Sequence, residues 1–349
     1  MLPKVLRVML VSAGAVLMCA GARRACAAAC TTQGQMTEAA RDSLANSAHG
    51  LLVDIQSGNM QALQQSTIPS LAANFSGLAN SVEQVKPEIQ NASITVDNLY
   101  LLDASDNPPA PASTDFYCGS PVVSVHFGSL PRGTYALAIL HATGVRNPQQ
   151  FALILSQADG GRWLLGGYFV KPMLTVGHDG LWYWENARNY AHSNQSWSAW
   201  LYYQQASQLL DPLNFLSSPN LQKLRQEADH VRPTTFPDQH PIILTVRGVP
   251  FKVDAVSTTT AFGGLDLDVR YAPDAAQASQ LSNPPMARQQ VTAIMSALVE
   301  LHPGLRQAFH GIWVHAQQGP ASLFALELPM QAIASTPPPP AAESVPSGQ

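Results

Sequence analysis

His178 and Asp179 stand side by side, three and two residues ahead of Leu181, with Trp182 and Trp184 just beyond them. An imidazole next to a carboxylate can transfer protons or hold a metal. An aspartate at the start of a helix has a simpler use, because its oxygens accept the free N–H groups of the first turn. A helix is expected from about Leu181, so the cap explains Asp179 without chemistry. On the segments that read as strands, the polar candidates are Asp97, Tyr117, His126 and His141. Asp97 and His141 fall on separate segments, and Tyr117 and His126 share one. His141 would share a sheet face with Tyr135, Leu137 and Ile139, where a lone histidine is more often a hydrogen-bonded rim residue than a ligand. His310 and His315 are five apart, so on one strand they face opposite sides and are not joint ligands.

Known catalytic frames are absent from the sequence. It has no phosphate-binding glycine loop, no G-x-S-x-G elbow, no H-E-x-x-H and no C-x-x-C. The expectation is therefore no metal, no cofactor and no catalytic residue. Charged residues make up only 12% of the 349, with a net charge of −4 and no basic cluster. That balance speaks against nucleic acid as a partner.

Lys4 and Arg7, the apolar run 8–20 and Ala27-Ala28-Ala29 read as a secretion signal over 1–29. Removing that segment takes four basic residues and no acid, which would bring the net charge to −8. Cys30 and Cys118 would then remain as a pair in an oxidising compartment. Three readings of them stay open: a disulfide, a lipid on Cys30 after a degenerate lipobox, or two free thiols. Membrane association is expected only through such a lipid.

These residues need elements to position them. Helical periodicity runs through 36–57, 60–65 and 75–90, and strand patterns through 93–104, 115–127, 134–144, 151–157 and 163–170. Asp159-Gly160-Gly161 marks a hairpin between the last two. Between Arg162 and Leu210 lie five of the six tryptophans and five of the nine tyrosines. Trp197, Trp200 and Leu201 recur at i, i+3, i+4, the spacing of a buried stripe. Trp182 and Trp184, two apart on a helix, point apart. After a third helix at 219–231 comes a proline-bearing linker at 232–239. Three strands, a helix at 287–301 and two more strands follow. Pro337–Pro340 belongs to a tail at 333–349 that reads as disordered.

The order of helices then antiparallel meander over 36–171, with the stop Ser57-Gly58-Asn59 before a short second helix, resembles the NTF2-like (cystatin-like cone) superfamily. That resemblance implies a cone that is a pocket or is filled. Tyr183, Ala187, Tyr190, Ala199, Tyr203, Ala206 and Pro212 resemble one tetratricopeptide helical hairpin, which cannot bury its own face and must lean on a neighbour. The expected fold class is α+β, in three parts: 30–173, 174–232 and 239–332. The expected function is a non-enzymatic binding or scaffolding protein of the bacterial cell envelope. Its partner would be an envelope protein, a peptide or a glycan, docking near Trp163, His178, Asp179, Trp182 and Trp184. The alternative is a small-ligand carrier or enzyme using the cone, through Asp97, Tyr117, His126 and His141.

Overall fold

A computed structural model describes residues 28–108, 113–238 and 240–333. The chain is α+β. The N-terminal part comprises β1 (Ala29–Thr32), α1 (Glu38–Ser57), α2 (Met60–Gln65), α3 (Pro69–Ala72), α4 (Ser76–Ile89), β2 (Ser93–Asp103), β3 (Thr114–Cys118), β4 (Val123–Phe127), β5 (Thr134–Thr143), β6 (Gln149–Gln157) and β7 (Trp163–Pro172). The middle part comprises β8 (Leu174–Thr175), β9 (His178–Asp179), α5 (Gly180–His192), α6 (Ser196–Leu210), β10 (Leu216–Ser217) and α7 (Pro219–Val231). The last part comprises β11 (Ile242–Val246), β12 (Val249–Thr259), β13 (Asp266–Ala272), α8 (Ala275–Gln280), α9 (Pro284–Leu301), α10 (Leu305–Ala308), β14 (Gly311–Gln318) and β15 (Ala321–Pro329).

The first sheet has the order β1-β2-β5-β6-β7 and is antiparallel throughout. Ala136 to Leu140 on β5 are all buried, which a sheet with one wet face would not show. Both faces are covered. Ala136, Ala138, Leu140 and Phe151 pack with Leu44, Leu52, Ile55, Val82 and Ile89 of α1 and α4. Leu137, Ile139 and Ala152 belong to a second core shared with α5, α6, α7 and the last part of the chain. The strand expected over 115–127 is instead a hairpin, β3 and β4, in its own sheet with β10. Gly119, at φ 67°, turns the chain there, and a side chain on it would come within 2.9 Å of Thr32.

Helix α6 is the hub of the second core. Ten of its 15 residues are buried, among them Trp197, Trp200 and Leu201. A helix apolar on most sides must be enclosed on most sides. Tyr202 donates to the Ala308 carbonyl at 2.7 Å, and Gln205 joins Thr175 at 2.8 Å to Thr258 at 3.2 Å. The single hairpin thus leans on the last part of the chain as well as on the first sheet. The stretch expected as a linker is packed too: Phe236 is buried, 4.8 Å from the Trp197 ring.

Cys30 and Cys118 form a disulfide across 88 residues. Of the three readings, the disulfide holds, and the Cys30 sulfur is not free to carry a lipid. The proposed signal segment lies outside the described residues except for Ala28 and Ala29, which pair with Phe116 and Asp103. The proline tail also lies outside them, though Ile333, assigned to it, is buried and accepts from Arg306. No helix among the described residues is long and apolar enough to cross a membrane.

The last sheet runs β11-β12-β13-β14-β15, and only the β13–β14 pair is parallel. Helices α8 to α10 make that crossover. Val291, Ile294, Met295 and Leu298 of α9 are buried with Leu267, Val269 and Tyr271 of β13.

Candidate functional site

Strand β13 alternates Asp266, Leu267, Asp268, Val269, Arg270, Tyr271. The pleat sends the apolar three to the core and the charged three to the other face. Register brings Trp313 beside Asp268, His315 beside Arg270 and Glu327 beside Trp313. Asp266 is completely buried there and Asp268 nearly so.

His310 stands just ahead of β14. Its backbone N–H donates to Leu265 at 2.8 Å and its carbonyl accepts from Met330 at 2.8 Å, which fixes it between β13 and the end of β15. The ring Nδ1 lies 2.9 Å from Asp266 Oδ1, and about half of the side chain is exposed. Two glycines make room. A Cβ on Gly264 would lie 2.3 Å from that of His310. One on Gly311 would lie 2.7 Å from Glu327 Oε1 and 2.9 Å from Asp266 Oδ1. Asp266 Oδ2 and Glu327 Oε1 are buried and accept no hydrogen bond. Burial pushes the Glu327 carboxyl up from its ordinary range, the Asp266 charge adds to this, and His310 opposes it. Donor atoms of Asp266, His310 and Glu327 all lie within 4.8 Å of one another. The neighbouring aspartate differs in having an arginine: Arg270 donates to Asp268 Oδ2 at 3.0 Å, while Oδ1, 3.3 Å from His315 Nε2, is buried and accepts no hydrogen bond.

On the other side of the last sheet, β11, β12, α8 and α9 enclose a groove of about 680 Å³. Phe251, Val249, Pro285 and Met286 give it apolar walls, and Arg247 and Arg288 line it with no acidic residue. Neither arginine is in an ion pair among the described residues. Gln290 faces the groove, 7% exposed, and both polar atoms of its amide lack a hydrogen-bond partner. Its neighbour Gln277 is satisfied, through Pro250 and Asp274.

The sequence-derived sites are not assembled. Trp163 is buried in the α1–α4 core, whereas Trp184 belongs to the α6 core. Trp184 donates to Glu227 at 2.7 Å and carries Arg188 over its ring. Asp179 is the α5 cap, accepting from the Trp182 N–H at 2.8 Å. His178, exposed, stacks at 3.7 Å on Trp182, which is half-buried against the α6 core. The cone alternative fares no better. Asp97 is exposed beside Asn98, and His141 bonds Gln150 at 3.1 Å. Tyr117 and His126 are exposed on the separate β3–β4 hairpin, with His126 2.6 Å from Asp115. The face of the first sheet that packs on α1 and α4 is filled by side chains.

Both the acidic cluster and the groove lie in the last third of the chain, for which the sequence offered no motif. The signal that could have located the cluster is the β13 alternation itself: two aspartates and an arginine on one face of a strand bounded by glycine. Comparison of the chain with protein-family models, curated proteins and solved structures finds no match.

Proposed function

We propose that this is an exported, non-enzymatic binding protein of the bacterial cell envelope, and that the groove between β11–β12 and α8–α9 is where it takes its ligand. The observation that carries the reading is the pairing of Gln290 with Arg247 and Arg288 in one apolar cleft. A buried amide without partners costs stability unless something in the groove completes it. The volume suits a small molecule or the end of a peptide. Two arginines and no acid favour an anion. The ligand chemistry is therefore a carboxylate on an apolar body, as at the carboxy terminus of an envelope peptide. Export is supported by the Cys30–Cys118 disulfide, which fits an oxidising compartment. The NTF2-like and tetratricopeptide-like portions would serve as the frame that holds this unit.

Titration with anilinonaphthalene sulfonate, an apolar dye carrying one anionic group, tests the reading. Fluorescence should rise and saturate at one equivalent. Arg247→Ala/Arg288→Ala should weaken binding roughly tenfold or more, the value of a charged hydrogen bond. Equal affinity in that variant would end the proposal.

A further inference from the structure

We propose that Asp266, His310 and Glu327 bind one divalent transition-metal ion of the zinc or manganese class. The three come from β13, the turn before β14 and β15, and their donor atoms lie within 4.8 Å of one another. Two ligands at adjacent positions on a metal, each bonded at ~2.1 Å, are about 3.0–3.4 Å apart. His310 Nδ1 and Asp266 Oδ1, at 2.9 Å, are close to that spacing already. A carboxylate oxygen of Glu327 lies within 4.8 Å of both, so a change of its side-chain rotamer would complete the set.

Asp266 supplies the independent observation. It has no exposed surface, yet Oδ2 accepts nothing, and Glu327 Oε1 is in the same condition across Gly311. Buried carboxylates are ordinarily paired with a cation or a metal. Two positions along the same strand, Asp268 meets this rule through Arg270. No arginine or lysine reaches Asp266 among the described residues. Gly264 and Gly311 keep the space around the three donors clear, and the half-exposed His310 gives an ion a path from solvent.

The donor set points to the ion class. An imidazole nitrogen with two carboxylates suits zinc or manganese, while calcium and magnesium prefer oxygen alone. Three protein ligands leave at least one coordination position for water or a small anion. The bound ion would also tie β13 to β15 across the start of β14. The cluster shares no residue with the Arg247–Arg288 groove, so either reading can fail without the other.

The test is calorimetric titration of the chelator-treated full exported chain with zinc chloride, and visible spectroscopy after adding cobalt(II). One equivalent of zinc should bind, and cobalt should show ligand-field bands that zinc abolishes. His310→Gln and Glu327→Gln should each lower zinc affinity by roughly a hundredfold. Both side chains are partly exposed, and the circular dichroism and melting of these variants report whether the fold is intact. Should Asp266→Asn fail to fold, those two decide alone. His126→Gln, at the surface His126–Asp115 pair, should bind as the parent does. Absence of stoichiometric binding overturns the proposal. So does binding that survives His310→Gln and Glu327→Gln in folded protein, or that is lost in His126→Gln.

Discussion

The indole N–H of Trp184 donates to Glu227 Oε2 at 2.7 Å, and the same carboxylate takes both Arg188 Nε and Nη2, at 2.7 and 2.9 Å. Tyr203 is the third residue to donate to it, at 3.3 Å. Helices α5, α6 and α7 thus converge on one half-buried charge. Burial alone would raise the Glu227 carboxyl, but its hydrogen bonds to Arg188 and Trp184 win, and it ends below its ordinary range.

Glu227→Ala should lower stability by about 2–4 kcal/mol, because it leaves Trp184 Nε1 buried without an acceptor and removes the Arg188 partner. Glu227→Gln should cost less. The sign with pH follows from the lowered value. A carboxyl lowered on folding stabilises the protein above its unfolded-state pKa, and this is lost as pH falls through the folded one. Urea midpoints between neutral pH and pH 3 should therefore converge for parent and Glu227→Gln.

Trp184 and Trp182 should separate under mutation. Trp184→Ala removes a buried indole from the hairpin seam and should cost roughly 3–5 kcal/mol. Trp182 is half-buried, stacked on His178 and edge-on to Tyr183 at 5.0 Å. Trp182→Ala should cost about 1–2 kcal/mol, close to the value of an aromatic pair with partial burial. Chemical denaturation of the two variants measures this. Equal losses would mean that the two indoles share one environment.

That contrast also marks how far the sequence could be read. Spacing two apart set Trp182 and Trp184 on different sides of the helix, yet both pack on one core, Trp184 within it and Trp182 at its edge, whereas i, i+3, i+4 correctly buried Trp197, Trp200 and Leu201. Helix and strand periodicity gave the α+β class. Local pattern could not reveal that α6 touches both ends of the chain, which is why 232–239 looked like a linker although Phe236 packs on Trp197. Nor could it bring His310 to Asp266, 44 residues away. That contact depends on the parallel pairing of β13 with β14, and parallel pairing follows from the helical crossover, not from the residues of either strand. The cluster was invisible for the same reason that a lone histidine is uninformative.

The disulfide should account for a large share of the stability of the first sheet's edge. It joins β1 to β3 and closes 88 residues. In the chain-entropy treatment such a loop is worth ~4–5 kcal/mol. Cys30→Ser/Cys118→Ser should lose 2–5 kcal/mol in urea denaturation, and reductant should move the parent midpoint to that of the variant. A midpoint indifferent to reductant would show that the bond does not form in the purified protein.

His302 provides a test on the acid side of neutrality. It stacks on the Trp197 ring at 4.2 Å, between the end of α9 and the start of α6, and burial lowers its pKa. The unfolded chain therefore binds a proton at His302 at higher pH than the folded chain does. Between the unfolded value, about 6.5, and the lower folded one, each step down in pH favours unfolding; above 6.5 this contribution is complete. His315 is lowered in the same direction, mainly by burial and partly offset by Asp268. Stability should accordingly fall from pH 7 to pH 5, and His302→Gln should reduce that slope without abolishing it, the remainder coming from His315. Melting temperatures of parent and variant across that interval settle the matter: parallel curves would mean that the Trp197 stack leaves His302 as free to protonate folded as unfolded.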